Sequence, residues 1–266
     1  MSGKPRETVK SRPARLRGLL SCVMAAALGL AACHARDESG WSDGAAAAHK
    51  AADALVVQAK SAGGPPRQTD PATATLLDAV FNIAVMPSKP NVSQADAVAD
   101  WIQSASRAGV LYLYAGTGMT DPRNLNVAQL SLEQQNIVTY APEVGRYFDA
   151  ELDLADALDQ IFLLLRNDPQ KYDVDAQGMH GAQMAAVGTE RLIIGALNAI
   201  ALPGVSDDWR RGRLGYLRNI APDAARLLSS EQRNAVREAA DAATAAMRDG
   251  DVKNQLVGIS DSFLNR

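Results

Sequence analysis

Cysteine is nearly absent. The 266-residue chain has two, Cys22 and Cys33. Two thiols so close to one end cannot staple a fold, so a disulfide scaffold is excluded and stability has to come from packing. Histidine is scarce too, with His34, His49 and His180 standing apart. There is no His-x-x-x-His or His-Glu-x-x-His pair, the usual frame of a zinc site, so no metal and no cofactor is implied. No Gly-x-Ser-x-Gly elbow and no P-loop occur, and Gly116-Thr117-Gly118 lacks a third glycine and a preceding strand. Aromatic residues make up 5% of the chain, few for a sugar-stacking cleft. A hydrolase built on two carboxylates stays open, because such pairs form in space. The net charge of -3 lacks the basic excess that nucleic-acid binding demands. No stretch sustains two-residue alternation between hairpin turns.

What is present begins at the amino end. Residues 1–17 carry Lys4, Arg6, Lys10, Arg12, Arg15 and Arg17 against one acid, Glu7. From Leu19 to Ala32 the chain is apolar or small, interrupted by Ser21. A helix over that run rises about 21 Å, short of the ~30 Å hydrocarbon core. Basic, then apolar, then small is the order of an export signal, not of a membrane span.

That run ends in Leu30-Ala31-Ala32-Cys33, which resembles the lipobox of bacterial lipoproteins. The resemblance covers these four residues and the signal before them. It implies that the chain is cut before Cys33, that the Cys33 thiol receives a diacylglyceryl group, and that the new amino group is acylated, palmitate-like chains being typical. The protein would then sit in the periplasm, held to the membrane by its N-terminal lipid. The residue after Cys33 is His34 and not Asp, which in that class favours the outer membrane over the inner. Removal of residues 1–32 leaves 21 basic and 29 acidic residues, a net charge of -8, and no free thiol.

The domain reading is a signal over 1–32, a lipidated Cys33 with a flexible tether and a loosely packed Ala-rich helix over 33–69, and a globular domain over 70–266. His34 to Gly44 is polar and reads as the tether. Ala45 to Ala62 favours helix, and Gly63-Gly64-Pro65-Pro66 ends it. Asp70-Pro71 is a cap followed by Pro at the first helical position. Pro87 and Pro90 stop that helix, and Ser93 caps the next, through Tyr114. Ser131-Leu132-Glu133-Gln134 reads as a capping box, opening a helical pattern to Asn167 with a break near Pro142. Further helices are expected over 175–202, from Ser206 with an interruption at Pro222, from Ser229 to Gly250, and over 252–264. The class is all-α: one bundle of roughly eight helices.

Two of these helices carry more information. Gly181, Gly188 and Gly195 recur every seven residues, with Ala185 and Ala199 on the same face. Each interior Gly costs about 1 kcal/mol against Ala, so close approach by a neighbouring helix is the expected compensation. On the helix from Glu143 to Leu165, Asp149, Asp153 and Asp156 stack at i, i+4 and i+7 and repel one another by a few tenths of a kcal/mol. This acidic face is a solvated face, or is paired with the Arg-rich segment Trp209–Arg218, or is a docking face for a basic protein partner. With no catalytic motif, the expected function is non-enzymatic: a lipid-anchored protein that binds another protein, in one version an immunity protein that blocks a secreted antibacterial toxin. The alternative is an accessory lipoprotein of envelope assembly or secretion.

Overall fold

Polar residues that can cap a helix punctuate the chain, and most of the helix starts follow from them. The computed structural model describes residues 40–85, 90–118, 125–172 and 176–264. These form α1 (Trp41–Ala62), α2 (Pro71–Phe81), α3 (Ala95–Leu113), α4 (Val127–Thr139), α5 (Ala141–Asn167), α6 (Ala176–Ala201), α7 (Asp207–Leu227), α8 (Ser230–Ala246) and α9 (Gly250–Ser262), with no strand among the described residues. The class is all-α. The ninth helix arises where Tyr140 ends α4 and Pro142 enters the first turn of α5. The signal, the lipobox with Cys33, His34, Pro87 and Asp175 lie outside the described residues.

Asp70 accepts from Thr73 N at 2.9 Å, Ser206 caps α7 and Ser229 with Gln232 forms a capping box. Three boundaries differ from the sequence reading. The α4 capping box is Asn126 with Gln129, so Ser131 lies inside the helix, because Asn126 already satisfies the first orphan amides five residues earlier. Ser93 sits in a short 3-10 turn, Val92–Gln94, capped by Asn91. Pro222 does not interrupt α7; it is exposed, and packing on both flanks carries the helix past the lost amide bond.

The first helix corrects a larger expectation. α1 is not loosely packed, and Trp41 to Gly44 is not tether. Trp41, Ala45, Ala48, Ala52 and Leu55 are all buried on one face, and α1 packs along α3 and α2. Alanines at that spacing allow two helices to approach closely, so a face that looks featureless in sequence is a contact face. Nor does the breaker after it separate domains. The Tyr112 hydroxyl donates to Pro66 O at 2.9 Å, and Gln68 N donates to Glu143 at 2.9 Å. One continuous core runs from Trp41 to Phe263.

Inter-helix bonds fix the topology. Trp41 meets Trp101, Asp53 pairs with Arg107, and Pro66 receives Tyr112, so α1 and α3 run parallel. Ser106 bonds Glu151 and Gly109 faces Tyr147, so α3 and α5 are antiparallel. Ala141 receives Trp209, Asp149 pairs with Arg213, and Arg166 reaches Arg226 O, so α5 and α7 are parallel. α6 joins α5 through Thr189 and α8 through Glu190, and α9 rests on α7 and α8. α5 is therefore the central helix, in contact with α2, α3, α4, α6 and α7. α6 meets α5, α7 and α8, and Gly188 and Gly195 are buried in it. Its segment His180–Ala201 is long and apolar enough to cross a membrane, but 61% of that stretch is buried against other helices, as in a core helix.

Candidate functional site

The acidic face of α5 is a seam, not a free surface. Asp149 receives two bonds from the Arg213 guanidinium of α7, one from Nε at 2.6 Å and one from Nη2. Their side chains are 17% and 12% exposed. The same guanidinium lies 5.0 Å over the Trp209 ring. Burial pushes the Asp149 carboxyl up and Arg213 pulls it back. Asp153, half-buried, is pushed up to about 6, first by burial and then by the charges of Asp149 and Asp156. Asp156 accepts from Gln160 at 2.7 Å. Tyr216 of α7 feels both Asp149 and Asp153. Of the readings for this face, pairing with the Trp209–Arg218 segment accounts for Asp149.

Three further acids on α5 were not singled out by sequence reasoning: Glu143, Glu151 and Asp159, all buried. Glu143 Oε1 accepts from Gln68 N and lies 3.8 Å from Arg67 Nε. Arg67 also donates twice to Thr139 O, at 3.0 Å, and stacks 4.7 Å over Tyr140. The group clasps the loop after α1 onto the α4–α5 junction. Glu151 Oε1 accepts from the Ser106 hydroxyl at 2.7 Å, and Asp159 Oδ1 from the Thr189 hydroxyl at 2.8 Å. Among the described residues the second oxygen of each has no hydrogen-bond partner. Desolvation pushes Glu151 up to about 8 and Asp159 well above the carboxylate range. In the sequence these acids are hidden because each interrupts an apolar pattern only once per two turns.

α4 is built the other way round from an ordinary surface helix. Its inward side carries Glu133, Asn136 and Ile137, all buried, and Asn136 Nδ2 donates to Leu113 O and Ala115 O at 3.0 and 2.9 Å. That side ties off the carbonyls at the end of α3. Its outward side shows Val127 (84% exposed), Leu132 and Val138 among Ala128, Ser131 and Gln135. This face contains no charged residue. It sits at the end of α1 and α3 away from Trp41, about 33 Å from the start of α1 along that helix.

Among the described residues no group of three or more His, Cys, Asp or Glu could hold a metal ion. His49 lies on α1, 3.6 Å from Asp53, and His180 is exposed on α6. Compared with protein-family models, curated proteins and solved structures, the chain matches none.

Proposed function

We propose that the protein is lipidated at Cys33, held by that lipid on the periplasmic side of the outer membrane, and binds another protein there without catalysis, as an immunity protein against a secreted toxin. Anchoring rests on Leu30-Ala31-Ala32-Cys33 and the signal before it. Several acyl chains, each contributing about 0.8 kcal/mol per buried CH₂, suffice for stable attachment.

The observation that carries the binding half is the outer face of α4. A soluble helix normally turns its apolar side inward; α4 turns Glu133 and Asn136 inward and Val127, Leu132 and Val138 outward. Depletion of charge with exposed aliphatics is the composition of an interface centre. The rest of the mature chain is acidic, so the fitting partner has an apolar centre and a basic rim, and its approach is steered by charge. Docking moves accordingly from Asp149, Asp153 and Asp156 to α4. The face lies at the end of the bundle farther from the tether, where a membrane-held protein can be reached.

The test pairs the full chain with the secreted product of an adjacent gene, read as growth protection and as binding. Wild type is expected to protect and Cys33→Ser to lose both acyl labelling and protection. Val127→Lys is expected to weaken binding at least tenfold, while Asp153→Lys leaves it unchanged. A chain that binds no such product and protects from nothing overturns the immunity reading. An envelope defect on deletion in monoculture would instead make the protein an envelope-assembly accessory.

A further inference from the structure

We propose that Glu151 and Asp159 form a two-site proton lock on the central helix: each carboxyl is held as the neutral acid while the bundle is closed, and loss of the two protons loosens α5 from α3 and α6. Both side chains are fully buried. A buried carboxylate is tolerated when a cation or several donors face it. Glu151 has one donor, the Ser106 hydroxyl of α3, and no charged group among the described residues acts on it. Asp159 has one donor, the Thr189 hydroxyl of α6, and the charges acting on it are acidic, Asp156 on its own helix and Asp223 of α7.

The nearby cations are engaged elsewhere. Arg213 of α7 is bound to Asp149, Arg166 of α5 to Arg226 O, and Arg226 of α7 to Asp223. On α3, Arg107 is turned toward Asp53 of α1. On α6, Arg191 is exposed at the surface, and the acid beside it, Glu190, is bound by Gln232 of α8. From the α2 and α4 side, Arg146 is bound to Asp78 and Arg67 lies beside Glu143. With one donor and no cation each among the described residues, the two carboxyls keep their protons, and folding takes up protons from solution.

The sign follows from linkage. Glu151 is raised from 4.5 to about 8 in the folded protein. Its favourable contribution is complete below the unfolded value, declines above it, and is gone once the pH passes about 8. Asp159 shifts in the same direction. Stability therefore falls toward alkaline pH, opposite to ordinary acid unfolding.

Thermal melts of the full chain in mild detergent, compared with Glu151→Gln and Asp159→Asn, test the lock, since each amide mimics the protonated acid at every pH. Each variant is expected to melt near wild type at about pH 5 and at least ~4 °C above it at about pH 9. A variant-to-wild-type difference that does not change with pH overturns the proposal. If the variants do not fold, the wild type alone decides. Its infrared spectrum in D₂O at neutral pH should contain the carbonyl band of protonated, solvent-shielded carboxylic acid, lost on alkaline titration; absence of that band also overturns it.

Discussion

Gly109 gives the sharpest test of the packing. It lies in the interior of α3, where alanine is ordinarily favoured by about 1 kcal/mol. In Gly109→Ala the new Cβ would sit within 2.7 Å of three atoms of the Tyr147 ring, whereas carbon atoms pack at about 3.5–4.0 Å. One partner must retreat by about 1 Å. Tyr147 is 3% exposed and wedged between Phe81 and Phe148, with ring centroids 6.2 and 5.5 Å away. α3 cannot back off, because α1 packs along it. Overpacking a rigid site costs about 1–3 kcal/mol, and here the upper end applies. Less the propensity gain, the net loss is about 2 kcal/mol, or about 4–8 °C in melting midpoint for a chain this size. Gly258→Ala on α9 is the control: its Cβ meets nothing within 4 Å, so it should gain up to about 1 kcal/mol. Thermal melts followed by circular dichroism separate the two signs, and adding Tyr147→Leu should recover much of the Gly109→Ala loss. A Gly109→Ala protein melting at or above wild type would refute the close α3–α5 contact.

Arg213→Leu leaves Asp149 half-buried without its guanidinium and should cost about 2–3 kcal/mol in chemical denaturation, whereas Arg213→Leu with Asp149→Leu should recover most of it, since an apolar pair replaces an ionic one at little cost. Asp153→Asn should raise the melting midpoint at about pH 8 and leave it unchanged at about pH 4. The reason is that burial and the Asp149 and Asp156 charges hold this carboxyl at about 6, so its favourable contribution is present in acid and lost as pH rises through that value; equal effects at both pH values would refute it. Gly188→Leu, in the buried stripe of α6, should lose about 1–3 kcal/mol by overpacking, and a neutral result would mean that the stripe is not a contact face.

How far the fold was legible depends on what each signal encodes. Caps were legible because they are local: Asp70, Ser206 and Ser229 act on amides two or three residues on. The α4 start was missed because both Asn126 and Ser131 head a capping pattern, and only the packing of Asn136 on α3 chooses between them. Alanine was misread on α1, since low hydropathy per residue hides how closely two Ala faces approach. The acidic face was legible as an i, i+4, i+7 pattern, but its pairing with Arg213 depends on α5 and α7 running parallel, which no local pattern carries. Gly109 gave no signal at all, because a lone glycine in a helix does not say which ring will lie on it.

The three interior acids of α5 have a geometric consequence. Glu143, Glu151 and Asp159 are spaced by eight residues, and at about 100° per residue each is turned about 80° from the last. They therefore address different neighbours: the loop after α1, then α3, then α6. Apolar contacts between Ala- and Leu-rich helices change little if one helix slides by a turn. A buried carboxyl does not tolerate sliding, because leaving its hydroxyl donor strands both groups in the core. Each pair thus fixes the register of α5 against one neighbour at some cost in stability. Replacing both members of one pair, Glu151→Met with Ser106→Ala, should leave the midpoint unchanged or higher while amide resonances of α3 and α5 broaden or double. If that double variant keeps a single sharp set of resonances, apolar packing alone sets the register and the buried acids are not needed for it.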